Sequence, residues 1–297
     1  MSITPDSASI VDPIITASVS LESRGAQSGA TANDPPWGIV AALLTWFVSI
    51  AILVVVPNIC VLPYLAYRYR GVAATREALL SDQTFVFLFV LGWVPAHLLT
   101  LALIWAVGTR LGKRSLKEAF GWSWTPRFGL AASSASAILL FFVTLFLIGW
   151  LGGEKTDLDR ILESSRAAAI ALAIIAVATA PLVEEMIYRG LLYSAFQRVI
   201  GPWPAVALVA AMFAGLHVVQ YWPNMGAISS ITLLSVVLTM IRARTGRLLP
   251  CFVVHLVFNG IQSLIIILEP YLQSLIQMWR HEPVNSALSF ILLHLIK

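Results

Sequence analysis

Seven stretches of largely apolar residues, each long enough to cross a bilayer, leave this chain little choice of architecture. A hydrocarbon core of about 30 Å is crossed by roughly 20 helical residues, and inside it a backbone amide finds no water. Each stretch must therefore satisfy its own hydrogen bonds as a helix. The stretches cover approximately 37–66, 83–108, 129–152, 167–199, 203–222, 225–242 and 248–268. Composition points the same way: 59% of the residues are hydrophobic and 11% charged, with a mean hydropathy of +0.85, where soluble domains carry roughly 25% charge. The expected fold is all-α, a polytopic transmembrane bundle of seven or eight spans. The eighth candidate, 287–296, is short and either crosses with the residues from Val284 onward or lies along the surface.

Residues 1–36 differ in kind. They are rich in Ser, Ala, Thr and Asp, end in Pro35 and Pro36, and lack the basic start and apolar core of a signal peptide, which reads as a disordered tail. Residues 37–297 show no repeat of fixed period and no long polar segment, so one membrane domain accounts for them. Cys60 and Cys251 lie in apolar segments and read as small hydrophobes. The net charge of +4 and pI near 9.3 do not point to nucleic acid, because the basic residues sit beside spans. Arg110, Lys113, Arg114 and Lys117, and then Arg242, Arg244 and Arg247, form clusters suited to lipid headgroups. With alternating spans, ten Lys and Arg fall on the side of the N-terminus and eight on the other, leaving out Arg189. That balance favours a cytoplasmic N-terminus.

Against this apolar background the run from Ala178 to Gly190, ATAPLVEEMIYRG, places Glu184, Glu185 and Arg189 within a spanning stretch. A charge near the middle of such a helix costs about 2.5–3.5 kcal/mol on insertion scales, so three of them call for a compensating role. Positions four apart share a helix face, which pairs Glu185 with Arg189 and turns Glu184 another way as the freer carboxylate. Pro181 removes a backbone donor and can kink the helix just before the charges. The fifth stretch adds Phe213 and His217, whose spacing lets the ring pack on the imidazole, and the seventh adds His255 and Asn259 on one face. Read one at a time, these are interfacial charges or hydrogen bonds that join helices. A single buried site is the simpler account of all of them.

The three patterns, EExxxR at Glu184, Glu185 and Arg189, FxxxH at Phe213 and His217, and HxxxN at His255 and Asn259, resemble those of the CAAX prenyl protease and bacteriocin-processing family, the intramembrane endopeptidases related to the type II CAAX endopeptidase. The resemblance covers roughly 167–262. It implies motif helices that enclose a water-filled catalytic cavity in the bilayer, where a peptide bond of a membrane-associated protein or peptide is hydrolysed. Two chemistries remain open. In one, Glu184 with His217 deprotonates water while His255 and Asn259 donate to the oxyanion, without metal. In the other, Glu184, His217 and His255 bind Zn²⁺ with a position open for water, and Glu185 is the base. A Glu185 already committed to Arg189 is a poor base, which favours Glu184. The sequence has no HExxH and no GxSxG element. The rival classes are a proton-coupled secondary transporter that uses the same polar groups and a noncatalytic membrane scaffold.

Overall fold

The computed structural model describes residues 32–70 and 72–280. Among these residues are seven helical spans of the length and hydropathy needed to cross a membrane, within a few residues of the stretches expected above except at the end of the seventh, which runs on past 268 to Leu275. The first is α1 (Ile39–Tyr69), which runs through Pro57 and Pro63 without ending. A short α2 (Arg76–Ser81) precedes the second span, built from α3 (Gln83–Leu91) and α4 (Trp93–Gly108) with Gly92 at their joint. Past the one-turn helix α5 (Leu116–Phe120), α6 (Leu130–Leu151) forms the third span. Ahead of the fourth span lies α7 (Asp157–Ser164), closed at its start by a capping box between Thr156 and Asp159.

The fourth span is interrupted. It is assembled from α8 (Arg166–Ala178), α9 (Ala180–Glu185), a π-helical segment Met186–Leu192, and α10 (Tyr193–Ile200). The break falls at Thr179, whose φ of −127° and ψ of −38° leave the helical region. Pro181 follows in the first turn of α9, where a missing N–H costs no helical bond. Every residue of the π segment is buried. Spans five to seven are α11 (Pro202–Tyr221), α12 (Met225–Thr245) and α13 (Leu249–Arg280).

The principal core forms around the π segment. Met186, Ile187, Leu191 and Leu192 pack there with Trp37, Phe120, Phe213 and Leu248. Phe120 sits so close to Gly190 that an added Cβ would meet its ring at 2.6 Å, and Gly108 faces the same ring. Apolar side chains such as Phe47, Val54, Phe142 and Val219 are exposed on the outside, where lipid replaces water. Trp203 and Trp222 are exposed at opposite ends of α11, as an interfacial aromatic belt requires.

Residues 1–31 of the expected tail and the stretch 287–296 lie outside the described residues. The rest of that expected tail, 32–36, is not loose. Ala32 is buried, the Asn33 carbonyl accepts from Gln197, Arg198 donates to the Pro35 carbonyl and pairs with Asp34, and Arg110 donates to the Pro36 carbonyl. The packed unit thus begins before residue 37, because Gln197 and Arg198 of α10 and Arg110 after α4 find acceptors there.

Candidate active site

Helix α9 ends on Glu184 and Glu185, and their side chains go to different places. Glu185 is fully buried and its Oε1 accepts from Arg189 Nη1 at 2.9 Å and from His255 Nδ1 at 2.8 Å. Glu184 keeps 27% of its side chain exposed, with Oε2 3.6 Å from His255 Nε2. His255, rising from α13, is therefore set between the two carboxylates, one ring nitrogen toward each. The same Glu185 oxygen accepts from Arg189 and faces Nδ1, so the hydrogen on Nδ1 points at Glu185 and Nε2 is the nitrogen turned to Glu184. This is the logic by which a buried acid fixes the tautomer and orientation of a catalytic imidazole.

Arg189 is held just as completely. Its Nε donates to Thr239 Oγ1 at 3.2 Å, and its Nη2 donates to Ser235 Oγ at 2.9 Å and to the Ser235 carbonyl at 3.0 Å. Its guanidinium carbon stands 4.8 Å from the Phe213 ring centre. A cation over an aromatic face is stabilised by the ring quadrupole, most effectively where water is excluded. Phe213 also stacks against His217 with centroids 4.4 Å apart. His217 Nδ1 lies 2.8 Å from the Phe213 carbonyl, which only accepts, so that nitrogen carries the hydrogen and Nε2 keeps its lone pair when the ring is neutral.

The six residues named from sequence thus share one region with unequal parts. Glu185 and Arg189 form the anticipated ion pair, and the aromatic packing of His217 is as expected. The imidazole in closest reach of the Glu184 carboxylate is that of His255, whereas the sequence joins Glu184 to His217. Asn259 spends one amide hydrogen on the Ala176 carbonyl at 2.9 Å, tying α13 to α8. For the set Glu184, His217 and His255, the two Nε2 atoms and a carboxylate are donors zinc accepts. Among the described residues, however, no group of three His, Cys, Asp or Glu side chains is gathered to hold a metal ion.

Two contributors escaped the sequence reading. His97 on α4 is buried and its Nδ1 is 2.6 Å from Thr179 Oγ1, at the break in the fourth span. Thr179 in turn donates to the Ile175 carbonyl. His97, Tyr188 and Tyr221 all stand within electrostatic reach of Glu184. The second is a stripe on α12: Ser235, Thr239 and Arg242, at i, i+4 and i+7, lie on one helix face, and all three are buried. Arg242, expected among the headgroup cations, is 1% exposed and donates from Nε to the Arg189 carbonyl at 3.0 Å. The polar spacing along an otherwise apolar span was the signal available.

A buried carboxylate, imidazole and guanidinium chain beside an accessible carboxylate, all within a membrane bundle, has the layout of a site for acid and base chemistry on a polar bond. Residues 166–261 match the family model described as Type II CAAX prenyl endopeptidase Rce1-like, and the likeness is confined to that segment. The matched segment runs from α8 into α13 and includes all seven motif residues. No curated protein and no solved structure matches this chain.

Proposed function

We propose that the protein is an intramembrane endopeptidase that hydrolyses a peptide bond in a membrane-associated protein or peptide, with Glu184 as general base. The asymmetry of the two carboxylates carries this reading. Glu185 is closed in by Arg189 and His255, whereas Glu184 is 27% exposed and 3.6 Å from an imidazole nitrogen. A base must reach the proton it removes, and only Glu184 is open to a water and a substrate.

The residues present supply a complete cycle. Glu184 takes a proton from water as the water oxygen bonds to the substrate carbonyl carbon, and the water's other hydrogen stays on that oxygen and donates a hydrogen bond to His217 Nε2. Charge develops on the carbonyl oxygen and receives a hydrogen bond from Nε2 of His255 in its doubly protonated form. Glu184 then returns its proton to the amine as the C–N bond breaks, leaving a carboxyl and an amine terminus. With His255 cationic, Glu184, Glu185, Arg189 and His255 sum to zero charge, which suits a site sunk in low dielectric. Asn259 keeps α13 in register with α8.

The test is cleavage of membrane-anchored peptides by purified protein in lipid vesicles, alongside elemental analysis. Glu184→Gln is expected to lower the rate by about 10²–10⁴, the usual worth of a general base, at an unchanged unfolding temperature. Parental cleavage by Glu184→Gln, or an activity that tracks stoichiometric zinc, would overturn this assignment. Proton flux without cleavage would support the transporter instead.

A further inference from the structure

The π segment Met186–Leu192 carries Arg189 and follows directly on Glu184 and Glu185, so its shape sets where both carboxylates point. Three consecutive carbonyls of this segment accept side-chain hydrogen bonds. Arg242 Nε reaches Arg189 O at 3.0 Å, Ser194 Oγ reaches Gly190 O, and Trp37 Nε1 reaches Leu191 O at 3.2 Å. Two of those donors come from distant parts of the chain. π-helical turns are rare, are found mostly at functional sites, and are less regular than α-helix, so outside donors matter more to their geometry than in an ordinary helix.

Arg242 does more than reach one carbonyl. Its Nη1 donates to Asn33 Oδ1 at 3.0 Å and its Nη2 to the Ala32 carbonyl at 2.7 Å, so one guanidinium joins α12, the π segment and residues 32–33. Burying a cation among neutral acceptors carries a desolvation cost that a headgroup contact would avoid. Arg244, two residues on, is exposed and shows that such a contact is open to this end of α12. The same face of α12 grips Arg189 at both ends, its guanidinium through Ser235 and Thr239 and its carbonyl through Arg242.

We propose that Arg242 and Trp37 are positioning residues of the catalytic centre, which hold the π segment from behind and make residues 32–37 a strap that fixes the aim of Glu184, Glu185 and Arg189. The proposal rests on the proteolytic reading above and adds residues outside the three motifs. Neither residue touches the reacting atoms. Their effect passes through main-chain carbonyls of Arg189 and Leu191, and a misplacement of about 1 Å at a catalytic group can cost 10²-fold in rate. A lysine at 242 provides charge without the planar fork that serves three separate acceptors.

The decisive variant is Trp37→Phe, which retains an aromatic ring beside Phe120, 5.5 Å away in the parent, and removes the N–H to Leu191 together with part of the indole's volume. Arg242→Lys and Arg242→Gln accompany it. Each is reconstituted in lipid vesicles, assayed for kcat and KM on a membrane-anchored peptide, and compared by hydrogen exchange over residues 186–196. Trp37→Phe is expected to lower kcat about tenfold with KM within twofold of the parent, and to speed exchange of that segment at least tenfold while the unfolding temperature stays within a few degrees. Arg242→Gln is expected to lower kcat further, with Arg242→Lys recovering only part. Parental kcat and parental exchange in Trp37→Phe would overturn the proposal, as would a loss that matches the fraction of unfolded protein. A parent that cleaves no peptide refutes the proteolytic reading, and the exchange comparison then decides the positioning claim alone.

Discussion

Replacing Glu185 by Gln probes the buried end of the site with almost no change of shape. The parent carboxylate takes 2.9 Å and 2.8 Å hydrogen bonds from Arg189 and His255 on one oxygen, and its other oxygen is buried without a partner. A glutamine can still accept through its carbonyl, but it leaves Arg189 as an uncompensated buried cation and puts an amide NH₂ where no acceptor stands. Breaking a buried pair from one side costs about 3–5 kcal/mol. Arg189 would keep its neutral acceptors on Ser235 and Thr239, which places the expected loss near the lower end, about 3 kcal/mol. The double variant Glu185→Gln with Arg189→Met removes both charges and should regain about 2 kcal/mol of that loss, since neutral replacement of a buried pair is often tolerated. Catalysis should not return, because an amide cannot support the charge on His255. Chemical unfolding in mixed micelles measures the cycle, and peptide cleavage reports the activity. A Glu185→Gln loss below about 1 kcal/mol, or a double variant no more stable than the single, would refute the idea that this pair is a charged structural unit.

Two further outcomes follow from packing and titration. Gly190→Ala should cost about 1–3 kcal/mol, the usual range for overpacking, because the new methyl meets the Phe120 ring at 2.6 Å, and Phe120→Leu should restore part of the loss in thermal unfolding. Asp82 caps α3 and accepts from Tyr64, Tyr69 and the Thr84 and Phe85 amides. Burial raises its pKa, but these hydrogen bonds outweigh that and hold the carboxyl below its ordinary 3.8. A depressed folded pKa gives stability that is complete above the unfolded value and is lost as pH falls through the folded one. Asp82→Asn should therefore cost stability at neutral pH and flatten the acid limb of an unfolding-temperature profile below about pH 4, and an unchanged acid limb would count against the cap.

The spans were legible in the sequence because hydropathy is a property each segment carries by itself, and hydrocarbon permits a single backbone answer to it. The Glu185 and Arg189 pair and the break ahead of Pro181 were legible for a similar reason, since both are set within one or two helical turns. What the sequence concealed depends on distant partners. Nothing local distinguishes a π segment from the α-helix on either side of it, and the insertion of His255 between two carboxylates joins positions some 70 residues apart. Arg242 looked like its exposed neighbours Arg244 and Arg247, and only the packing of α12 against the fourth span turns it inward. Residues 32–36 read as tail because their composition is polar, while the cations that hold them lie along the rest of the chain. His97 carried no motif, and its role depends on where α4 meets Thr179.

The proposed reaction is attack of water, activated by Glu184, on a peptide bond inside this bundle. A single turnover with enzyme in excess over a membrane-anchored peptide in H₂¹⁸O, read by mass spectrometry, tests it most directly. Direct attack by water predicts one ¹⁸O atom in the new carboxyl terminus and no product from Glu184→Gln. A new carboxyl carrying only ¹⁶O would mean that a protein carboxylate had attacked first, and it would contradict the account.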